Sequence, residues 1–458
     1  MIGRKIGYHK PHGTVRMDML HGGLLGKMLI FALPLAVSSM LQQLFNSVDV
    51  AVVGKFDCDQ ALAAVGSNGS VISLMVNLFV GISVGASVVI GNYIGQRDDD
   101  GIRKAIRTVS VIAVAGGVLL LLIGLIAARW ILELMDTPHD VIDLATLYLR
   151  IYFLGMPFML IYNFGAAILR SMGDTKRPLY ILIVAGIINT VLNLLLVIVF
   201  RMSVAGVAIA TVVANIVNAG IILYILMHEE GPFRLDIKNI SVSRPELKKI
   251  LQIGIPAGVQ GMVFSIANVF IQAAINQFGS DVVAGSAAAL NFEYYCYFVI
   301  GAFSQATVTF TSQNYGAGQI ERCKRIFRLS MLLSLVCCGV LNVLLVWQRE
   351  FFISFFTSSP EVIQYAAIRM QYVLLFQFIA SSYEISGAAL RGLGYSMTPT
   401  ILTIFGTCIL RLVWVYTVNR QYNSFEVLMY VYPLSWVITG IAVWVAYYTI
   451  RRKAFAIR

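Results

Sequence analysis

The sequence is dominated by apolar runs that are long enough to cross a lipid bilayer. Of its 458 residues, 58% are hydrophobic and only 12% are charged, whereas a soluble domain carries about 25% charged residues. A helix of about 20 apolar residues spans the hydrocarbon core, while the strands of an outer-membrane barrel are about half that length. The run lengths therefore predict an all-α integral membrane protein.

Windows of about 20 residues predict twelve transmembrane helices. Several are longer than a bilayer requires, which indicates tilt or helix ends that project from the membrane. The predicted spans are 25–53, 62–94, 106–128, 143–169, 178–199, 204–227, 249–275, 283–313, 326–347, 362–390, 397–418 and 426–449.

Basic residues are distributed unevenly between the two ends of these spans. Most of the 34 lysines and arginines fall in or beside segments that share a side with the N-terminus. Basic loops stay in the cytoplasm during insertion, so we expect a bacterial plasma-membrane protein with both termini in the cytoplasm. The net charge of +11 then reflects loops that face anionic lipid, and we expect no nucleic-acid partner. The exceptions are Lys55, Arg129, Arg150, Arg201, Arg349, Arg369, Arg411 and Arg420.

The chain also repeats itself with a nearly fixed offset. Residues 169–178, LRSMGDTKRP, and residues 390–399, LRGLGYSMTP, share the pattern L-R-x-x-G-x-x-x-x-P. Six helices therefore repeat as six helices, and because six is even, both halves have the same orientation in the membrane. At the same offset, within one residue, 93–107 aligns with 314–328, Pro34 with Pro256, and Asn46 with Asn268.

A parallel repeat predicts two six-helix lobes around an axis along the membrane normal. Two lobes with a central cleft are a common transporter design that permits alternating access; a duplicated scaffold without transport is the alternative. We expect an N-terminal cytoplasmic tail at 1–23, an N-lobe at 24–228, a cytoplasmic linker at 229–247, a C-lobe at 248–450 and a C-terminal cytoplasmic tail at 451–458.

Several stretches resemble one family of exporters. The segments FALPLAVSSMLQQLFNSVDVAVVGKF, LFVGISVGASVVIGNYIG, LRSMGDTKRP, TFTSQNYGAG and LRGLGYSMTP resemble the multidrug and toxic compound extrusion (MATE) family, from about residue 24 to 450. The resemblance implies a twelve-helix, two-lobed exporter driven by Na⁺ or H⁺, within a superfamily that also contains flippases of lipid-linked oligosaccharides. The chain has no G-x-x-x-x-G-K-[ST] motif, so we expect no enzymatic activity, and no cofactor besides the coupling ion.

Polar side chains inside membrane spans are costly and usually functional. Asp49 lies in the outer part of the first span, Asn189 and Asn193 lie on one face of the fifth, and Thr211 lies in the outer part of the sixth. These four residues therefore share a similar depth. A carboxylate, two amides and a hydroxyl form an oxygen-rich set that suits a hard cation such as Na⁺.

The resemblance supports this grouping and adds one departure. The family's cation site in the first lobe uses an Asp, an Asn, a second Asp and a Thr, and Asn193 stands where the second acid is expected. One formal charge can bind one Na⁺, or one proton, because burial disfavours the charged form of a carboxyl group. Two alternatives to an ion site stay open. Asp49 is then an acid near a helix end that is solvated from the periplasm, and Asn189 and Asn193 only form hydrogen bonds between helices.

The second half carries its own charges within spans. Glu293 lies in the eighth span, Glu384 in the tenth and Arg411 in the eleventh. By depth, Arg411 lies nearer to Glu293 than to Glu384, so one interpretation is a structural Glu293–Arg411 pair. The other is a second acidic site for a proton or substrate. The acids that some family members carry on helices 7 and 10 are not matched here.

We place the substrate cleft at Gln42, Asn46 and Asn163, because Gln42 and Asn46 share the helical stripe of Asp49. The expected function is export of lipophilic or cationic small molecules in exchange for Na⁺ or H⁺. Mostly acidic groups near the cleft favour cations, whereas a flippase for lipid-linked oligosaccharides, the main alternative, needs a strongly cationic cleft. A signalling or scaffold protein is disfavoured because no soluble domain is present. We expect a monomer in the bilayer.

Overall fold

The computed structural model describes residues 17–56, 59–135 and 137–456, and within these ranges it contains helices and no strands. Residues 1–16 of the predicted N-terminal tail and residues 457–458 lie outside the described part. The twelve long helices are α1 Leu24–Phe56, α2 Asp59–Gln96, α3 Asp99–Leu134, α4 Ile142–Leu154 with Met156–Ser171, α5 Lys176–Val199, α6 Ser203–Met227, α7 Arg244–Asn276, α8 Ser280–Gly316, α9 Ile320–Trp347, α10 Pro360–Gly392, α11 Met397–Tyr422 and α12 Phe425–Ala456.

The twelve predicted helices differ in how apolar they are. Among the described residues, ten helices are long and apolar enough to cross a membrane, or eleven when the two parts of α4 count as one span. The remaining helix, α8, is 37 residues long but carries Glu293 and a buried run of hydroxyls and amides between Thr307 and Asn314. Because α8 packs against α1, α2, α9 and α10, its polar side chains meet protein rather than lipid.

Four of the helices are interrupted within the bundle. The axis of α4 bends by 47° between its two parts, where Pro157 lacks the N–H that would continue the hydrogen-bond ladder. A 3₁₀ segment, Leu374–Ala380, lies inside α10. A π-helical stretch, Leu195–Val199, ends α5. Two more, Ile404–Ile409 and Val415–Asn419, lie on either side of Arg411 in α11. Such stretches are frequent at functional sites.

Each lobe has its own hydrophobic core, and the first halves of α1 and α7 cross between them. Met28 and Phe31 of α1 pack in the core formed by α8, α9, α10 and α12, and the Phe31 ring meets Phe310 edge-on at 5.6 Å. In the same way Ile250 and Ile253 of α7 belong to the core formed by α2 to α6. The lobes are therefore joined at the end where α1 and α7 begin.

Two glycine pairs allow α2 and α7 to meet backbone to backbone at this seam between the lobes. Gly81 and Gly85 of α2 and Gly254 and Gly258 of α7 are each spaced G-x-x-x-G, a pattern that lets helices approach closely. A Cβ atom at Gly81 would lie 2.1 Å from the backbone nitrogen of Gly258, and one at Gly85 would lie 2.3 Å from the Ile250 carbonyl. Any larger residue would push the lobes apart.

Candidate functional site

A polar cavity of about 180 Å³ lies within the N-lobe, between α1, α4, α5 and α6. All three residues predicted for the substrate cleft line it, and so do three of the four predicted coupling residues. The structure therefore brings together side chains from four helices that are distant in sequence. The predicted residues in the lining are Gln42, Asn46, Asp49, Asn163, Asn189 and Thr211.

A chain of hydrogen bonds connects the four predicted coupling residues. The Asn193 amide donates to Asp49 Oδ1 and, over 3.2 Å, to Asn189 Oδ1. Asn189 in turn donates to Thr211 Oγ1 over 3.4 Å. Thr211 donates to the Val207 carbonyl over 3.0 Å, as threonines in a helix commonly do. Asn193 is the one member of this group that does not line the cavity, and its amide contacts Asp49 from outside the lining.

Burial makes the Asp49 carboxyl group sensitive to its partners. Asp49 is 9% exposed and Asn193 is 0% exposed. No lysine, arginine or histidine among the described residues forms an ion pair with Asp49, so neutral hydrogen bonds alone stabilise its charge. Asn193 Oδ1 is also buried without a hydrogen-bond partner among the described residues. Since buried polar atoms are nearly always paired, this unpartnered oxygen beside the Asp49 carboxylate suits a hydrogen-bond donor or a cation.

The cavity contains further polar residues that the sequence reasoning missed. Tyr152, Tyr162, Asn215 and Asn218 also line it. Asn215 and Asn218 lie four and seven residues after Thr211, so they continue one stripe of α6, and this periodicity was available as a signal. The aromatic rings had no comparable signal, because most tyrosines of an apolar helix pack or face lipid.

The structure pairs Glu293 with a different arginine from the one expected. Arg369 of α10 donates to both carboxylate oxygens of Glu293, from Nε over 2.6 Å and from Nη2 over 3.0 Å. Both side chains are buried, and Arg369 Nη1 also donates to Ser286 Oγ over 2.6 Å. The Glu293–Arg411 pair is therefore wrong. The depth comparison considered only Arg411, although Arg369 also lies inside a predicted span, 362–390, and more than two turns after the start of α10 at Pro360.

Glu384 and Arg411 have other hydrogen-bond partners than that pair. Glu384 accepts a hydrogen bond from the Tyr297 hydroxyl over 3.0 Å, while Arg411 Nε donates to Ser435 Oγ over 3.0 Å. Among the described residues, Glu293, Glu384 and Arg411 form no hydrogen bond or ion pair with one another. The three residues predicted as a second acidic site thus do not bond to one another, although Arg369 and Arg411 both lie against the Tyr432 ring, at 5.5 Å and 4.5 Å from its centre.

A family model described as MatE matches the chain twice, over residues 34–195 and 256–417. The two matches begin at Pro34 and Pro256, the prolines that the internal repeat aligns. Together they cover more than half of the chain, and they confirm the parallel repeat of two lobes.

Individual relatives span most of the chain. It is similar to the probable multidrug resistance protein YoeA of Bacillus subtilis, with 28% identity over 82% of this chain and 83% of that protein. It is also similar to an FAD transporter of Shewanella oneidensis, with 26% identity over 78% of this chain and 76% of that protein.

Solved structures share the fold. The outward-facing conformation of a multidrug resistance MATE family transporter of the MOP superfamily superposes with a TM-score of 0.89 and 21% identity, covering 97% of this chain and 99% of that one. The all-α fold with two helical lobes is confirmed by this likeness.

Proposed function

This chain belongs to the MatE family of multidrug efflux transporters, and we propose from that premise that it is a secondary antiporter coupled to a cation. Its substrates would be small lipophilic or cationic molecules, and its co-substrate Na⁺ or H⁺. The observation that carries this proposal is the buried carboxyl group of Asp49, which faces a polar cavity and accepts a hydrogen bond from the neutral amide of Asn193 on α5.

The same carboxyl group can bind the co-substrate and signal its presence. While Asp49 is charged, the Asn193 amide donates to it. A charged Asp49 needs a donor at this place, whereas a bound Na⁺ or a protonated Asp49 needs an oxygen acceptor there, where the amide N–H now points. A rotation of the Asn193 amide would supply its buried, unpartnered Oδ1. Cation uptake would thereby change the contact between α1 and α5.

A change at that contact can reach the substrate, because both share one cavity. Gln42, Asn46 and Asn163 line the space beside Asp49. The Asp49 carboxylate attracts an organic cation only while no Na⁺ or H⁺ neutralises it. The coupling ion and the substrate would therefore compete for this charge. Competition for one charge is the simplest physical basis of exchange.

The direction of export depends on the orientation of the chain. We place both termini in the cytoplasm of a bacterial plasma membrane, because the basic residues cluster in the loops on that side. The described seam between the lobes then closes the cytoplasmic end, and the Asp49 cavity lies towards the outer half of the membrane. Outward release driven by inward cation flow follows from this arrangement.

The test is transport by the purified protein in proteoliposomes loaded with a fluorescent lipophilic cation. A Na⁺ gradient and a pH gradient are imposed separately on wild type, on Asp49→Asn and on the control Asp281→Asn, which changes an exposed acid in the first turn of α8. We expect export to follow one gradient, to vanish in Asp49→Asn and to survive in Asp281→Asn. Gradient-driven export that survives in Asp49→Asn would refute the assignment.

A further inference from the structure

The C-lobe contains a buried guanidinium group that the proposed antiport does not use. Arg411 lies near the middle of α11, is 1% exposed, and is among the largest fully buried side chains. A charge at this depth is costly unless it is paired or serves a function. Two π-helical stretches, Ile404–Ile409 and Val415–Asn419, bracket it, so the helix is locally distorted on both sides of the charge.

Within the described part of the chain, no carboxylate neutralises this charge. Arg411 forms no ion pair, because Glu293 is taken by Arg369 on both oxygens. Its Nε donates to Ser435 Oγ, but its Nη2 is buried without a hydrogen-bond partner. The Nη2 group is thus left for a ligand, and a guanidinium group matches the geometry of a carboxylate.

Three aromatic rings surround the guanidinium group and form a box, defined here as Phe264, Tyr432 and Trp436. The Arg411 Cζ atom lies 4.5 Å from the Tyr432 ring centre, 5.7 Å from Phe264 and 5.9 Å from Trp436. Cation–π contacts stabilise the charge in part, but they leave the hydrogen-bonding edge of the guanidinium unsatisfied. The rings also offer flat apolar surface next to a positive charge.

The box borders the seam between the lobes. Tyr432 and Trp436 are buried, whereas Phe264 is partly exposed. The next residue, Ser265, accepts a hydrogen bond from Asn77 of α2 over 2.9 Å, which places the adjacent face of α7 against the other lobe. A shift of Phe264 when the lobes move would open the box to the cleft.

We propose that Arg411 and its aromatic box form an anion subsite that receives a carboxylate carried on an aromatic substrate. The N-lobe cavity offers one negative charge and the C-lobe box one positive charge, so the substrates would include aromatic anions and zwitterions as well as cations. This inference deepens the proposed transport function and rests on it for its physiological meaning. Its test measures binding without any gradient, so the two can fail separately.

Trp436 provides a reporter inside the box. The purified full chain is titrated with 4-nitrobenzoate, a quencher of tryptophan fluorescence, and with the uncharged 4-nitrobenzamide. We expect saturable quenching at a concentration at least tenfold lower for the acid. Trp436→Phe removes the saturable component, whereas Trp444→Phe, which changes an exposed ring on the same helix, keeps it. Asp281→Asn, which changes an exposed acid in the first turn of α8, leaves it unchanged.

Substitutions of Arg411 then distinguish a role in ligand binding from a role in holding the helices together. Arg411→Met keeps most of the side-chain volume and removes the charge, so the acid should lose its tenfold preference over the amide. Arg411→Lys keeps the charge without the fork, and should retain only part of that preference. Equal quenching by acid and amide in the wild type, or a preference that survives Arg411→Met, would overturn the proposal. If Arg411→Met does not fold, saturable quenching that survives Trp436→Phe overturns it as well.

Discussion

The side-chain amide of Asn193 donates a hydrogen bond to the carboxylate of Asp49, across 144 residues of sequence. Asn193 also donates to Asn189 on its own helix, so its amide links the carboxylate on α1 to a second amide on α5. A neutral amide stands here where the resemblance leads one to expect a second acid. The cavity therefore carries one formal charge from this group of residues.

Replacement of Asn193 by Asp tests how this single charge limits coupling. Two carboxylates in one buried site cannot both stay charged without a bound cation or proton. We expect Asn193→Asp to make export depend more steeply on the coupling ion, with a Hill coefficient that rises from about one towards two. The measurement is the initial export rate as a function of Na⁺ concentration and, separately, of pH.

The matched control for this change is Asn276→Asp, which adds the same charge to an exposed position at the end of α7. We expect it to leave the ion dependence unchanged. An equally shallow ion dependence in Asn193→Asp would show that Asn193 does not adjoin the coupling site.

The Glu293–Arg369 pair should be structural rather than part of the coupling machinery. Removal of one partner from a buried ion pair leaves an uncompensated charge and costs about 3–5 kcal/mol. We therefore expect Glu293→Gln to lower the thermal unfolding temperature strongly, and the double change Glu293→Met with Arg369→Met to restore most of it. A Glu293→Gln protein of normal stability with altered ion dependence would instead mark Glu293 as a functional acid.

The sequence contained enough information to find the N-lobe site. Asp49, Asn189 and Thr211 are polar residues in apolar helices whose ends are clear, so a depth count from each end placed them together. Gln42 and Asn46 followed from the helical stripe of Asp49. Helical periodicity and membrane depth are local properties, and for this reason they can be read from one chain.

The C-lobe charges were not predictable in the same way. Arg369 and Arg411 both lie inside predicted spans, 362–390 and 397–418, so a count of depth alone does not choose between them as the partner of Glu293. Which of two arginines reaches an acid is decided by helix rotation and packing, and a single sequence holds no direct record of either.

The glycines at the seam between α2 and α7 should control closure of the lobes. A methyl group at Gly85 would lie 2.3 Å from the Ile250 carbonyl, so Gly85→Ala must separate the helices or strain them, at a cost of about 1–3 kcal/mol. We expect slower transport and a lower thermal unfolding temperature. Gly301→Ala in α8 is the control, because no atom lies within 4 Å of its added methyl group. Equal behaviour of the two variants would contradict closure at this seam.

Neighbouring glutamines on α1 allow the substrate cavity to be tested with little change in composition. Gln42 lines the cavity, whereas Gln43 does not. If Gln42 hydrogen-bonds the substrate, its loss removes about 1 kcal/mol of binding, and Gln42→Leu should raise the KM for the fluorescent cation roughly fivefold. The coupling-ion dependence should stay as in the wild type, because Asp49 and Asn193 are intact. Gln43→Leu should leave the KM unchanged, and an equal rise in both variants would place the effect in α1 packing rather than in the cavity.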